Sequence, residues 1–76
     1  MRRSRMDIII DVLEVAVMGV KKTAVVYKTN LNFKLAEKYL ELLQKQGFVE
    51  NTLNEYKTTD KGKVFLQKAK ELTLQL

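Results

Sequence analysis

The clearest pattern of apolar and polar positions lies between Asn30 and Gly47. At about 100° per residue, one side of a helix collects Leu35, Ala36, Tyr39, Leu40, Leu42 and Leu43. The opposite side collects Lys34, Glu37, Lys38, Glu41, Gln44 and Lys45. Asn32 is a suitable N-cap because its side-chain oxygen can accept a first-turn N–H, and Gly47 can adopt the left-handed conformation that ends a helix. The pattern predicts an amphipathic helix over about residues 33–46.

A second helix is predicted over about residues 5–18, where Ser4 and Asp7 are spaced as in a capping box and Gly19 follows the end. Its apolar residues cover well over half of the circumference, whereas a surface helix needs an arc of a little over about 100°. They are Ile8, Ile9, Ile10, Val12, Leu13, Val15, Ala16 and Val17. The excess predicts that this helix is covered by its own domain and by a partner chain. The alternative is a strand, since Ile and Val favour β structure, but the caps and the length favour a helix.

A short helix over about residues 23–29 is predicted between these two, with Thr23 as its N-cap. Three lysines flank it, namely Lys21, Lys22 and Lys28. Asn30 to Asn32 then forms a turn, in which both asparagines tolerate turn geometry and Leu31 points into the core.

The chain after Gly47 predicts a hairpin and a last helix. The hairpin strands cover about residues 48–51 and 55–58, and the last helix covers about residues 60–73. Phe48 and Tyr56 are expected to face the core, and the tip lies around Thr52, Leu53 and Asn54. No Asn-Gly pair marks a tight turn here.

The last helix begins at a good N-cap, Thr59, and carries apolar or small residues spaced three and four apart. These are Gly62, Phe65, Ala69, Leu72 and Leu76. The spacing favours a dimer seam of two heptads, shorter than the three or four that identify a coiled coil. The alternative is that this face packs on the first helix of the same chain. The predicted dimer-interface residues are Ile9, Leu13, Phe65, Ala69, Leu72 and Leu76.

The order of the elements predicts a mainly α winged helix-turn-helix domain with a small β-hairpin, covering residues 1–76. A domain this short buries only about 60% of its unfolded surface. The sequence has no Cys and no His, so neither disulfides nor a Cys/His zinc site can stabilise it. Oligomerisation is the remaining ordinary route to stability.

Composition also restricts the chemistry. Without His or Cys, and with Ser4 as the only serine, the usual general bases and nucleophiles are missing. The carboxylates alternate with lysines as on solvated surfaces, so we expect no enzyme, no cofactor and no small-molecule substrate. No apolar run approaches the roughly 20 residues that span a bilayer, and the Arg-rich start lacks a signal-peptide pattern. A soluble cytoplasmic protein is expected.

The net charge of +5, from 14 Lys and Arg against 9 Asp and Glu, indicates a polyanionic partner. We expect double-stranded DNA, with the helix over residues 33–46 in the major groove. The predicted DNA contacts are Arg2, Arg3, Lys21, Lys22, Lys28, Asn32, Phe33, Lys34, Lys38, Asn54 and Lys57. The arginines could equally belong to a frayed terminus, the lysines to a solvated surface, and Phe33 to a contact with the hairpin.

The segments around Lys22-Thr23, Tyr27-Lys28-Thr29-Asn30-Leu31 and Thr59-Asp60-Lys61-Gly62 resemble the small archaeal winged-helix proteins of about ten kilodaltons found in chromatin preparations, and related domains of archaeal viruses and plasmids. The resemblance runs from Gly19 to Leu66. It implies binding of double-stranded DNA through the helix near Phe33 and through the wing, dimerisation by the C-terminal helix, and a nucleoid-associated location. By matching motif, the resemblance also implies a DNA contact for each of Lys22, Thr23, Lys28, Asn30, Lys34 and Lys38. The chromatin-type members carry a long C-terminal coiled coil, whereas this sequence stops at Leu76.

Two roles within this reading stay open, a transcription regulator and an architectural DNA-binding protein. A protein-interaction module is the alternative from another class, since the mixed Lys and Glu surface of the predicted recognition helix also suits a protein partner. Binding to a membrane surface or to RNA is less favoured, because no basic amphipathic helix with aromatic anchors and no aromatic platform is evident.

Overall fold

The computed structural model describes residues 4–74, which form four helices and a three-stranded antiparallel sheet. The order is α1 (Arg5–Val15), a 3₁₀ turn (Ala16–Met18), β1 (Val20–Lys21), α2 (Lys22–Thr29), α3 (Phe33–Lys45), β2 (Val49–Thr52), β3 (Glu55–Thr58) and α4 (Asp60–Leu74). The predicted winged helix-turn-helix order is confirmed. The predicted first helix continues to residue 18 only as the 3₁₀ turn.

Local side-chain caps start three of the helices as the sequence predicts. The Ser4 hydroxyl accepts the Asp7 N–H at 3.1 Å while the Asp7 carboxylate accepts the Ser4 N–H at 3.0 Å. Asn32 caps α3, and the Thr59 hydroxyl accepts the Gly62 N–H at 3.0 Å in α4. Each cap satisfies a backbone donor that has no partner within its helix.

The start of α2 differs from the prediction. Thr23 is not its N-cap: the helix begins at Lys22, and Lys21 precedes it without a side-chain cap hydrogen bond. Lys21 instead belongs to β1, which pairs with β3 through Val20 opposite Tyr56 and Lys21 opposite Glu55. A strand of two residues is too short to show alternation of apolar and polar residues, so β1 was not predicted.

The core forms around α1, because α2, α3 and α4 all pack against it. Its most completely buried large side chains are Leu13, Leu40, Leu43, Val12 and Val25. The hairpin is fixed to α1 by the buried Thr58 hydroxyl, which donates to the Leu13 carbonyl at 2.8 Å. Helix contacts within the same chain therefore account for most of the wide apolar arc of α1.

This packing corrects part of the predicted dimer interface. Leu13 is 0% exposed and Ala69 is 5% exposed, so both pack in the core of their own chain. Leu13 has no surface for a partner, and Ala69 offers only a small one, at the edge of a groove on α4. Ile9 and Phe65 are half-buried against the same core, and Leu72 is exposed. Leu76 lies outside the described residues.

In the hairpin, called the wing below, β2 lies one residue later than predicted at both ends, and β3 has the predicted bounds. Thr52 pairs with Glu55, so the loop consists of Leu53 and Asn54 alone. Both have positive φ, 51° and 67°, as a type I′ turn requires. Asn tolerates this conformation, whereas for Leu the left-handed region costs about 1 kcal/mol. Phe48 and Tyr56 pack against the core as predicted.

Candidate nucleic-acid interface

The turn between α2 and α3 fixes the position of the exposed helix. Asn30 adopts the left-handed conformation, with φ 60°, and ends α2. Leu31 is buried in the core, and the Asn32 side chain accepts the Leu35 N–H at 2.7 Å. The predicted turn is confirmed, and it places the first residue of α3, Phe33, at the surface with 55% of its area exposed.

Cationic side chains on α3 are concentrated on one flank. Lys34, Lys38 and Lys45 are all exposed. At about 100° per residue they fall within about 40° of one another around the helix axis. We call them the basic flank. Glu37 lies about 60° from Lys34 around the axis, on the side where Lys22 of α2 binds it. Glu41 lies within about 20° of Lys34 and borders a groove together with Lys38 and Lys45, so one carboxylate is set within the basic flank.

The start of α1 extends the basic flank. Arg5, Lys38 and Lys45 border an open groove of about 340 Å³ between α1 and α3. The other residues that line it are Leu35, Tyr39, Glu41 and Leu42. Neither Arg5 nor Lys45 was among the predicted contacts. The seven-residue spacing from Lys38 could have identified Lys45, whereas Arg5 is brought there only by packing of α1 on α3.

Glu37 of α3 is bonded to α2. Lys22 Nζ donates to Glu37 Oε2 at 2.9 Å, and the two side chains are 32% and 54% exposed. This hydrogen bond to Glu37 raises the pKa of Lys22 above its usual value. Glu37 thereby neutralises one of the cations that the sequence assigned to DNA.

The remaining predicted contacts on α2 are exposed. Thr23 and Lys28 lie at the surface, as do Asn30 and Asn32 beside them. Tyr27, which is not among the predicted DNA contacts, is 88% exposed. A tyrosine hydroxyl is a common donor to DNA phosphates, so Tyr27 and Lys28 together offer a phosphate contact.

The wing carries no net charge on its outer side. Glu50 lies opposite Lys57, and Glu55 lies opposite Lys21 of β1. Cross-strand partners project from the same face of a sheet, so these charges offset each other in pairs. Asn54, at the tip, is exposed. Of the predicted contacts, Arg2 and Arg3 lie outside residues 4–74.

The part of the chain that the structure describes has neither a metal-binding cluster nor a membrane-spanning helix. It contains no group of three or more carboxylates that could hold a metal ion. None of its helices combines the length and the apolar character needed to cross a membrane.

Comparisons with known proteins agree with this architecture. The chain is 28% identical over 72 residues to the uncharacterized protein MJ0287 of Methanocaldococcus jannaschii, covering 93% of this chain and 74% of that protein. The crystal structure of Sso10a-2, a DNA-binding protein from Sulfolobus solfataricus, superposes with a TM-score of 0.83 at 29% identity, covering 93% of this chain and 79% of that chain. Both organisms are archaea. A family profile described as winged helix-turn-helix matches residues 2–75. The chain therefore belongs to the winged helix-turn-helix family.

Proposed function

We propose that the chain binds double-stranded DNA as a homodimer and places α3 in the major groove. The observation that carries this proposal is the basic flank of α3, continued by Arg5 across the groove to α1. The similarity to Sso10a-2, a DNA-binding protein, supports the same function. A role in transcription regulation or in DNA architecture, and a location at the nucleoid in the cytoplasm, are parts of this proposal.

Phosphate contacts supply most of the affinity in the proposed complex. Lys34, Lys38, Lys45 and Arg5 follow one phosphate strand, and each contact releases counterions from the DNA. Lys28 contacts the opposite strand from the end of α2. Sequence preference comes from the side chains at the start of α3, where Asn can read adenine and Lys can reach guanine.

Glu37 and Glu41 give α3 a second function in this complex. A carboxylate in the major groove can accept a hydrogen bond from the amino group of cytosine and is repelled by nearby phosphates. Lys22 holds one oxygen of Glu37, which fixes the position of the carboxylate. We therefore assign Glu37 to discrimination between sites rather than to overall affinity.

The same carboxylates support a second candidate function, a protein-interaction module on a winged-helix scaffold. An exposed surface with adjacent cationic and anionic side chains can complement a protein whose charges are arranged in the opposite order. DNA titrations distinguish the two candidate functions, because only the DNA-binding function requires an affinity for DNA that weakens steeply with salt.

The experiment that tests DNA binding is a titration of a labelled duplex at two salt concentrations. With Arg5, Lys28, Lys34, Lys38 and Lys45 on phosphates, we expect log Kd to rise with log salt with a slope of about 4 to 5 for each bound protomer. Fluorescence anisotropy measures both affinities, and light scattering gives the mass of the free protein. Absence of binding at low salt would contradict the proposal and favour the protein-interaction module.

An apolar surface at the end of the domain supports the homodimer. Met6 of α1 is 43% exposed and Leu72 of α4 is 70% exposed, on either side of the half-buried Phe65. A groove of about 600 Å³ lies between them, lined also by Ser4, Asp7, Lys68 and Ala69. A second copy that covers this surface would set two α3 helices on half-sites about 34 Å apart.

Leu72→Glu is expected to weaken dimerisation at least 10-fold, because a charge would replace an apolar side chain within the interface. Sedimentation over a range of protein concentrations measures the change. Gln67→Glu, which adds the same charge at another exposed position of α4, is the matched control. A Leu72→Glu protein that remains folded and keeps the dimeric mass of the parent would exclude this interface.

A further inference from the structure

The groove between α1 and α3 contains a hydroxyl group that pairs with no other described residue. Tyr39 lines this groove, and only 7% of its surface is exposed. Its hydroxyl has no hydrogen-bond partner among residues 4–74. No side-chain polar atom of these residues is both buried and unpaired, so the hydroxyl is the part of Tyr39 that reaches the surface. There it can donate a hydrogen bond to an oxygen atom of a bound molecule.

The floor of the groove on either side of this hydroxyl is apolar. Leu35 and Leu42 are half-buried and lie one turn before and one turn after Tyr39, within about 60° of it around the axis of α3. They are seven residues apart in a helix, so the floor is about 10 Å long. An apolar strip of this length suits a flat body of one or two rings, whose contact with the leucines removes apolar surface from water.

The rim of the groove is cationic. Arg5 of α1 and Lys38 and Lys45 of α3 border it, and none of the three forms a salt bridge with another described residue. Glu41 adds one carboxylate, so three cations and one anion leave the rim with a net charge of +2. An arginine guanidinium can hold a carboxylate through two parallel hydrogen bonds. The rim therefore favours a ligand that carries an acid group.

Volume and charge together restrict the class of ligand. The groove of about 340 Å³ lies at the lower end of the range of about 300–1,000 Å³ found for small-molecule sites. This volume suits one or two rings with a single acid group better than a nucleotide. Glu41 on the rim also disfavours a ligand with several negative charges, because like charges at short distance repel.

We propose that this groove binds a small aromatic carboxylate, which competes with DNA for the basic flank of α3. The ring lies on the apolar floor, and the carboxylate accepts hydrogen bonds from the Tyr39 hydroxyl and from Arg5. A ligand in this position covers Arg5 and Lys38, two of the cations that the proposed function places on DNA phosphates. The competition rests on that proposed function, whereas binding of the ligand does not.

Binding of the ligand is tested by an NMR titration of the isotope-labelled protein with 2-naphthoate. We expect a Kd of about 0.1–1 mM, as for a ligand of this size in an open site, with the largest shifts in the amide signals of α1 and α3. Acetate has the acid without the ring, and naphthalenemethanol has the ring without the acid. Each should bind at least about 10-fold more weakly. Equal binding of acetate would reveal general attraction to lysines and overturn the proposed site.

Tyr39→Phe tests the hydroxyl directly, because it keeps the ring in the core. It should weaken naphthoate binding about 5-fold, and Tyr56→Phe, a half-buried tyrosine of the wing, is the matched control. Arg5→Gln should weaken naphthoate binding about 10-fold, because the amide cannot replace the charged pair of hydrogen bonds. Lys63→Gln removes the same charge from α4 and should have little effect. Parent affinity in either Tyr39→Phe or Arg5→Gln would overturn the site.

Competition with DNA is measured by anisotropy of a labelled duplex at constant ionic strength. For each bound protomer, naphthoate at about ten times its Kd should weaken DNA binding about 10-fold in the parent and about 3-fold in Tyr39→Phe. Acetate at the same concentration should leave the DNA affinity unchanged. An unchanged DNA affinity at saturating naphthoate would overturn the competition. A protein that binds naphthoate but not DNA would overturn the proposed function and keep the ligand site, and one that binds DNA but not naphthoate would do the reverse.

Discussion

For each bound protomer, replacement of Lys34 and Lys38 together by alanine is expected to weaken binding to duplex DNA roughly 30-fold at about 0.15 M salt. Both ammonium groups are exposed on the basic flank of α3 and are one helical turn apart. Each phosphate contact contributes about 0.9 to the slope of log Kd against log salt. Extrapolation from a reference of about 1 M salt to about 0.15 M therefore gives a roughly 30-fold loss of affinity for two lost contacts. The slope of log Kd against log salt should fall by about 1.8. Anisotropy titrations at several salt concentrations measure both quantities.

The matched control is a protein in which Lys63 and Lys70 of α4 are both replaced by alanine. It loses the same two charges, and the exposed Lys70–Glu14 pair, at 3.4 Å, contributes little to stability. If DNA binds at α3, this control should keep a slope close to that of the parent. Equal losses in the two double variants would mean that only net charge matters, and would remove α3 from the interface.

Glu37→Gln should strengthen DNA binding, which is the opposite of the effect expected for the lysine substitutions. The amide removes a negative charge from α3 and releases Lys22 from its 2.9 Å ion pair. A gain of one phosphate contact corresponds to about 5-fold tighter binding to DNA of mixed sequence at about 0.15 M salt. The same variant should discriminate less between sites, which would separate the role of Glu37 from that of the lysines.

Sequence was informative where the structure depends on neighbouring residues. The N-caps at Ser4, Asn32 and Thr59, and the left-handed Asn30, all depend on groups within a few positions of each other. The period of the apolar residues in α3 predicted its bounds to within one residue. The alternation of apolar and polar residues predicted the hairpin. These features require no knowledge of how the helices pack.

The errors arose where tertiary contacts decide. Lys21 joined a strand because β3 lies beside it, so α2 started before Thr23. Leu13 and Ala69 were assigned to a partner chain because a helical pattern shows how much apolar surface a helix has, but not which helix covers it. In this chain α1 and α4 cover each other.

In the candidate site, too, some features follow from the local sequence pattern and others depend on tertiary contacts. The cations at Lys34 and Lys38 are evident from the helical period, but the pairing of Glu37 with a lysine depends on which side of α3 meets α2. The ion pair between Lys22 and Glu37 joins two helices and could not be derived from either one. Arg5 reaches the basic flank for the same reason, through the packing of α1 on α3.

Gly62→Ala is expected to destabilise the fold by about 3 kcal/mol, although alanine is normally the better helix residue by about 1 kcal/mol. A Cβ at this position of α4 would lie 2.1 Å from the Phe48 carbonyl oxygen and 2.8 Å from Thr58 Cγ2. The carbonyl belongs to the backbone and accepts the Thr59 N–H at 2.9 Å, so it cannot move without loss of that bond. The total stability of a chain this size is roughly 4–11 kcal/mol. Urea unfolding followed by circular dichroism measures the loss.

The loss should come from the junction between α4 and the residues before the wing. Displacement of α4 would also separate the stacked rings of Phe48 and Phe65, whose centroids are 4.6 Å apart. Gln67→Ala, on the exposed side of α4, is the control and should change stability by less than about 0.5 kcal/mol. Thr58→Ser removes the nearby methyl group but leaves the carbonyl in place, so it should not rescue Gly62→Ala. A Gly62→Ala protein at least as stable as the parent would show that α4 does not pack this closely, and would leave Phe65 and the rest of its apolar face available to a second copy.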